Sequence, residues 1–110
     1  SPVIAADESK IDQKLNHYKS FLRATKKGYL YCQQNPDAAI SILSKYVPQH
    51  EQNIDLAEAL KCTAAYFGNE HTWGTMREEV IANFMNWIVN KGLEQQVLDC
   101  KHMITNKCLN

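Results

Sequence analysis

The stretch LNHYKSFLRATKKGYLYCQQNPDAAI, residues 15 to 40, decides the fold class of this sequence. Apolar side chains recur in it at three- and four-residue spacing, and lysine and arginine fill positions between them, which predicts a long amphipathic helix. The inward positions are Leu15, Tyr18, Phe21, Leu22, Tyr29 and Cys32. Gly28 costs about 1 kcal/mol relative to alanine inside a helix, so we expect a close helix contact on that side.

Asn35 ends this helix and begins the next, because asparagine is a good N-cap and Pro36 fits the first helical position. The second helix points Ala39, Ile40, Leu43 and Tyr46 inward. A third helix has Ile54, Ala57, Leu60 and Ala64 on its inner face and ends at Gly68.

A fourth helix is expected after the loop from Asn69 to Gly74. Thr75 and Glu78 have the spacing of a capping box, in which each side chain bonds the other residue's amide. The helix ends at the pair Lys91-Gly92, which is typical of a helix C-terminus. Its inward residues are Val80, Ile81, Phe84, Met85 and Ile88, and Leu93 to Leu98 is expected to form one more short helix.

The fold class predicted for residues 1–110 is therefore all-α, in a single helical segment. Val3 and Ile4 belong to a short apolar run that could end a strand. Asp7 could then cap a helix that follows it in the sequence. No apolar run is long enough to span a membrane. Since the chain lacks an initiating methionine and a leader, we expect it to be mature, trimmed or cut from something longer.

Charge and cysteine spacing lower the expectation of several kinds of site. Twelve basic and twelve acidic side chains balance, which disfavours a nucleic-acid partner because phosphate binding needs a basic face. Cys32, Cys62, Cys100 and Cys108 form no Cys-x-x-Cys pair, and no metal site is expected. Cys32 and Cys62 are expected on apolar helix faces, and a bridge between Cys100 and Cys108 is left open, depending on the compartment.

Catalytic motifs are not recognisable in the sequence. The histidines, His17, His50, His71 and His102, lie among polar residues and are interpreted as solvated side chains. No nucleophile with a base, carboxylate pair or phosphate-binding glycine loop is present as a motif. The sequence therefore predicts a protein that is not an enzyme and has no cofactor.

Trp73 is the candidate ligand-binding residue, because it precedes a helix from a polar loop. Two interpretations are open for it. An indole there is favoured to plug a gap between helices or between lobes, since aromatic side chains dominate core energetics. The alternative is that it forms the wall of a site for a planar ligand.

The run from Phe21 to Ala39 resembles the pattern F-L-x-A-x-x-x-G-x-x-x-x-x-x-N-P-x-x-A of periplasmic substrate-binding proteins. Later elements agree in order: Trp73-Gly74 with Met76, Phe84 and Trp87, Gly92-Leu93, and the closing run from Ile104 to Leu109. The branch that these elements resemble most is the nitrate, sulfonate and thiamine-pyrimidine-precursor group. Cys108 departs from the pattern, which more often has an aromatic or aliphatic residue there.

This resemblance implies the helical C-terminal part of a two-lobed α/β fold that binds a small solute for an ABC importer. The solute would be a thiamine pyrimidine precursor or a related compound, and the partners would be the transporter permease and the missing N-terminal lobe. Localisation would be periplasmic or anchored extracellularly at the cell surface. A cytoplasmic location is the alternative, since several cysteines are unusual in an exported protein.

Two other hypotheses are retained: an enzyme of the same fold that makes the thiamine pyrimidine, and a free-standing helical interaction module. A segment separated from its lobe should expose an apolar face and self-associate, whereas a module should have a closed core. We expect that face to include Phe21, Tyr29 and parts of the helix from Val80 to Ile88.

Overall fold

The structure is a computed structural model that describes residues 3–48 and 54–109, and within these ranges it is all-helical and has no strand. The predicted all-α class is confirmed. Its helices are α1 (Glu8–Ile11), α2 (Leu15–Gln34), α3 (Pro36–Leu43), α4 (Leu56–Ala64) and α5 (Glu78–Asn90), followed by a 3₁₀ helix (Cys100–His102). Val3 and Ile4 have no regular secondary structure.

The long helix predicted from residue 15 is α2, and it spans 20 residues. Leu15, Tyr18 and Leu22 are half-buried, whereas Phe21 and Tyr29 are exposed. The contact expected at Gly28 is wrong, because a Cβ there would meet nothing within 4 Å. The glycine instead leaves a depression in the surface of α2.

Asn35 occupies the N-cap position of α3 and Pro36 its first turn, as predicted. The Asn35 side chain does not cap α3, however, because its Nδ2 donates to the Tyr31 carbonyl oxygen at 3.2 Å. Asn35 therefore closes the end of α2 rather than the beginning of α3. The inward positions predicted on this segment hold for Ala39 and Ile40, which are half-buried, and are wrong for Leu43 and Tyr46, which are exposed.

α4 is shorter than predicted and ends four residues before Gly68. Asp55 caps it by accepting a hydrogen bond from the Glu58 amide at 3.0 Å. Leu60 and Ala64 are half-buried, whereas Ile54 and Ala57 are exposed, so only half of the predicted inner face packs. Gly68 follows a turn and has φ +77°, a conformation that favours glycine.

The capping box predicted for α5 is wrong. The helix begins at Glu78, its N-cap is Arg77, and no side chain bonds the cap. The segment before it is held by Asn106, whose Oδ1 accepts from the Met76 amide at 2.9 Å and whose Nδ2 donates to the Met76 carbonyl at 2.8 Å. The local cap suggested at Thr75 is thus absent, and a distant side-chain amide bonds the backbone at Met76, just before the helix.

The end of α5 is as predicted. Lys91 is the C-cap and Gly92 has φ +71°. The Gly92 amide donates to the Val89 carbonyl, and the Leu93 amide donates to the Ile88 carbonyl. These two bonds are a Schellman motif.

The short helix predicted for Leu93 to Leu98 is absent, and the chain there is irregular. A turn of 3₁₀ helix forms later, where Asp99 accepts a hydrogen bond from the Lys101 amide. The Schellman motif at Gly92 reverses the chain direction, which explains why helix does not resume at once.

Packing divides the elements into two groups. α2, α3 and α4 pack against one another, and α5 packs mainly against the 3₁₀ helix. Among the described residues the buried apolar side chains are Met85, Cys100 and Cys108. The core therefore lies between α5 and the C-terminal segment.

The whole chain is more open than a compact domain of its size. Its radius of gyration is 17.2 Å, whereas about 13 Å is typical of a compact chain of this length. Its accessible surface is 8993 Å², against roughly 6,200 Å² for a compact chain of this mass. The excess is about 2,800 Å² on that scaling.

The exposure expected for these apolar side chains is confirmed. Phe21 and Tyr29 on α2, and Val80, Phe84 and Trp87 on α5, are all exposed. The same observation corrects the inward placement of Val80 and Phe84, although Met85 is buried and Ile81 and Ile88 are half-buried as predicted.

Candidate functional site

Trp73 lies in an aromatic cluster formed by α2 and the loop after α4. Its ring is 5.5 Å from that of Tyr29 and tilted by 53°. Tyr29 also meets Phe67 edge to face, with ring centroids 4.6 Å apart and an angle of 82°. Trp73 is half-buried in this position, so part of the indole surface faces solvent while the rest packs on the tyrosine.

The loop that carries Trp73 is held by its own polar groups. The Asn69 side-chain oxygen accepts from the amides of His71 and Thr72. The Asn69 amide donates in turn to the Thr72 hydroxyl at 2.9 Å. The Asn69 carbonyl accepts from the Trp73 amide. These bonds fix the backbone from 69 to 73 without any regular helix or strand.

Two side chains of α2 attach this loop to the helix. Gln33 Nε2 donates to the Ala64 carbonyl at 2.8 Å and to the Gly68 carbonyl at 3.1 Å. Lys26 Nζ donates to the Glu70 carbonyl at 3.2 Å. Gln33 is half-buried, and it bonds both the last carbonyl of α4 and the carbonyl of Gly68 in the following loop.

A surface groove of about 420 Å³ lies beside the aromatic cluster. Its lining residues are Thr25, Gly28, Tyr29, Cys32, Leu60 and Phe67. The missing side chain of Gly28 opens the groove, and Tyr29 and Phe67 are shared with the cluster. Trp73 is outside the lining set, so its ligand role remains a prediction.

The Thr25 hydroxyl is already used within α2, where it donates to the Phe21 carbonyl at 2.9 Å. The groove is therefore a mainly apolar surface with little free polar chemistry. It fits an apolar or aromatic group better than a polar solute, because small-molecule sites combine apolar walls with polar groups that fix orientation.

A second groove, of about 510 Å³, is lined by Lys14, His17, Tyr18 and Phe21. His17 is exposed there, as is His71 in its loop. His102 Nε2 lies 3.9 Å from Asp99 Oδ2, a spacing of three residues that the sequence interpretation did not anticipate. His50 lies outside the described residues.

Metal-ligating groupings are not seen in residues 3–48 and 54–109, where no three His, Cys, Asp or Glu side chains converge. All four cysteines are free thiols. Cys62 is exposed and approaches Glu58 Oε1 at 3.6 Å, so its predicted place on an apolar face is wrong. Cys32 is half-buried, consistent with its predicted place on α2.

Two exposed groups have shifted pKa values. Hydrogen bonds from the Ser9 hydroxyl and then from Lys10 lower the pKa of Asp7 below its usual value. The hydrogen bond to Asp12 raises the pKa of Lys107. The Lys107 contact ties the C-terminal segment to the turn between α1 and α2.

No helix in the described ranges is long and apolar enough to cross a bilayer. A family model described as NMT1/THI5 like matches residues 1–39. No curated protein and no solved structure matches the chain. The match supports a general relation to thiamine-pyrimidine proteins over α1, α2 and the beginning of α3, which contain the run from Phe21 to Ala39. The later elements of the sequence resemblance, from Trp73 to Leu109, lie outside the matched residues.

Sequence reasoning missed Gln33 and Asn106, the side chains that hold this site together across the chain. Gln33 bonds backbone groups 31 and 35 residues away, and Asn106 bonds one 30 residues away. A glutamine on a polar helix face and an asparagine in a tail give no local signal of such a partner. The spacing of Thr75 and Glu78 predicted a capping box that does not form in the structure.

Proposed function

We propose that this chain is the C-terminal helical part of a solute-binding protein that delivers a thiamine pyrimidine precursor, or a related small solute, to an ABC importer. The match of residues 1–39 to the NMT1/THI5-like family carries the proposal. The activity is binding without chemistry, and the permease of the importer is the partner that receives the solute.

The exposed surface supports an origin in a larger fold. Phe21 and Tyr29 on α2, and Ile42 and Leu43 on α3, are exposed large apolar side chains. A soluble monomer rarely leaves contiguous apolar patches of this kind open. The N-terminal lobe of the binding protein covers this side in the proposal, with the solute held between the lobes.

Trp73 is at the edge of that surface, in contact with Tyr29. Packing against the tyrosine favours the plug role over the ligand role. The ring is held by neighbours within the chain, and a plug stabilises the junction with the other lobe.

We expect Trp73→Phe in the full-length protein to lower the melting temperature, because phenylalanine fills less of the gap than tryptophan. Solute affinity should stay unchanged, because a side chain that plugs this gap does not contact the solute. Thermal unfolding and calorimetric titration with a thiamine pyrimidine measure the two effects. Loss of affinity at an unchanged melting temperature would instead assign Trp73 to the ligand site. Tyr66→Phe, at an exposed position after α4, is the matched control.

An enzyme of the same fold that makes the thiamine pyrimidine is the second candidate. The free thiols favour it, because exposed Cys62 and unbridged Cys100 and Cys108 suit a reducing compartment. The importer component would be periplasmic or anchored at the cell surface, whereas the enzyme would be cytoplasmic. A free-standing interaction module fits less well with the open apolar surface.

The deciding experiment begins with the intact mass of the native gene product, followed by calorimetric titration of that product with thiamine pyrimidines. A mass several times that of this chain, together with reversible binding of a pyrimidine that is not converted to another compound, supports the importer component. Conversion of a precursor to the pyrimidine supports the enzyme. A product of the mass of this chain that binds no pyrimidine overturns both.

A further inference from the structure

The α2 helix has a charge composition unlike that of the rest of the chain. Its 20 residues include four cationic side chains and no aspartate or glutamate. The whole chain balances twelve basic against twelve acidic side chains, so the residues outside α2 have more acids than bases. α2 is therefore a basic element in a chain whose remainder is acidic.

Three of these cations form a basic stripe along one face of α2, defined by Lys19, Arg23 and Lys27. Their four-residue spacing places them on the same side of the helix, about 6 Å apart along its axis at each step. Arg23 and Lys27 are exposed, and Lys19 is half-buried. The fourth cation, Lys26, is already used by the fold, because its Nζ donates to the Glu70 carbonyl oxygen.

The charges of the basic stripe are not neutralised by neighbouring carboxylates. Within residues 3–48 and 54–109, every ion pair of the structure is made by a cation outside the stripe. The adjacent turns of α2 supply no partner either, because the helix has no acidic residue. An exposed cation without an internal partner is available to a carboxylate from another molecule.

The basic stripe faces away from the exposed apolar side chains of the same helix. Arg23 is two residues after Phe21, and Lys27 is two residues before Tyr29. Two residues are about 200° of helical rotation, which places each cation about 160° around the helix from that aromatic ring. A lobe that covers Phe21 and Tyr29 therefore leaves Arg23 and Lys27 accessible.

The size of the basic stripe favours a short acidic segment over an extended polyanion. The stripe offers three cations, whereas duplex binding with a strong salt dependence involves about 6–10 phosphate contacts. A nucleic acid or an anionic bilayer would also come close to the acidic remainder of the chain, and electrostatic repulsion acts over about 8 Å at physiological ionic strength. A single acidic segment meets the stripe without meeting that remainder.

Helix geometry favours a helical form of this acidic segment. Glutamates at four-residue spacing on a partner helix are also about 6 Å apart along the axis, so three of them lie opposite Lys19, Arg23 and Lys27. The Arg23 guanidinium, at the centre, has the planar fork that binds a carboxylate through two parallel hydrogen bonds. The flexible lysine stems on either side adjust to the outer carboxylates.

We propose that the basic stripe of α2 is a docking surface for an acidic helical segment of another protein, bound through carboxylates at four-residue spacing. The inference rests on charge, exposure and helix geometry. It does not depend on the identity of the solute or on the proposed function.

Fluorescence anisotropy tests the docking surface, with a labelled helical peptide that carries three glutamates at four-residue spacing as the probe for the native gene product. We expect saturable binding that added salt weakens. Arg23→Glu should weaken binding at least tenfold, because it places a like charge at the centre of the contact. Lys101→Glu makes the same charge change at an exposed position outside the stripe and should change the affinity less than twofold. Absence of binding, or an equal loss in both variants, overturns the proposal.

A charge exchange separates docking from a folding defect. A peptide with lysines in place of the three glutamates should bind the double variant Arg23→Glu and Lys27→Glu, and should not bind the wild-type protein. Glutamate is a good helix former, so the helical circular dichroism of the double variant should match that of the wild type. Failure of the exchanged pair to bind, with the helical signal retained, contradicts the proposal.

Three further probes distinguish this partner from others: a peptide of the same composition with the glutamates spread around the helix, duplex DNA, and vesicles containing phosphatidylserine. Weaker binding of all three supports the acidic helix. Equal binding of the rearranged peptide, or tighter binding of DNA or vesicles, overturns it in favour of a general attraction to anions. Pyrimidine titration of Arg23→Glu should be unchanged, so failure of this proposal is distinguishable from failure of the proposed function.

Discussion

Gly68 and Gly28 differ in backbone conformation and in the space around the position where a Cβ would lie. Gly68 has φ +77°, and a Cβ on it would lie 2.8 Å from the Thr72 hydroxyl oxygen. That hydroxyl already accepts the Asn69 amide. Gly28 is in a helix interior with open space where a Cβ would be.

Alanine at these two glycines should therefore change stability in opposite directions. Gly68→Ala should destabilise the fold by about 1–3 kcal/mol, because it forces a side chain into a left-handed backbone conformation. Gly28→Ala should stabilise it by up to about 1 kcal/mol, because alanine is the better helix former. Urea unfolding of both variants measures the pair. An unchanged free energy of unfolding in Gly68→Ala would mean that the loop after α4 does not contribute to global stability.

Side-chain roles were predictable from sequence only where the partner is local. Asp7 as a cap, Pro36 in a first turn and Gly92 after α5 each act on backbone within a few residues, and the structure confirms them. Thr75 failed because the helix begins at Glu78 with Arg77 as its N-cap, and the backbone near Thr75 is bonded at Met76 by the distant Asn106. No spacing rule encodes a partner that the fold brings from 30 residues away.

At the scale of the helices, the C-terminal segment holds the beginning of α5 in place through Asn106. Its paired hydrogen bonds to Met76 resemble one rung of a β ladder, made by a side chain instead of a strand. Leu109 adds an apolar contact, since its Cδ2 would lie 2.9 Å from a Cβ on Gly74. The segment thus fixes the chain just before α5 begins.

Asn106→Ala should destabilise this junction by about 1–3 kcal/mol, since two backbone groups lose their partner. Hydrogen exchange at the Met76 amide should accelerate in the variant, and chemical denaturation gives the free energy. Asn86→Ala, at an exposed position on α5, is the control and should not weaken the fold. Unchanged protection of Met76 would show that water replaces the amide without loss.

Helix existence was predictable from periodicity for α2 to α5, but the facing of each helix was not. Period alone tells which residues of one helix share a side, as Val80 and Phe84 of α5 do. It does not tell whether another element covers that side. Leu93 to Leu98 failed for a different reason, since the chain reversal at Gly92 outweighs a weak helical pattern.

At the scale of the whole molecule, Lys107 and Asp12 join the C-terminal segment to the beginning of the chain. The bond raises the pKa of Lys107 above its usual value. Stabilisation from a group with a raised folded pKa is complete below its unfolded pKa and is lost as pH rises through the folded value. The contact should therefore contribute at neutral pH and vanish in strongly alkaline solution.

Lys107→Gln should lower the melting temperature slightly at neutral pH, with the difference from wild type closing as pH rises past the lysine range. Added salt should shrink the difference too, because both groups are exposed. Differential scanning fluorimetry over a pH series measures it, and Lys101→Gln is the matched control on the same segment. A difference that persists at high pH would assign the effect to packing of the lysine stem.

The small interior has a calorimetric consequence. Heat capacity increases on unfolding in proportion to the apolar surface that becomes exposed, and among the described residues the buried apolar side chains are Met85, Cys100 and Cys108. Unfolding of the isolated chain should give a broad transition with a small heat-capacity step and a flat stability curve. A compact domain shows a large decrease in heat capacity when it folds. In this chain we expect most of that decrease to appear when it associates with the part that covers its apolar surface.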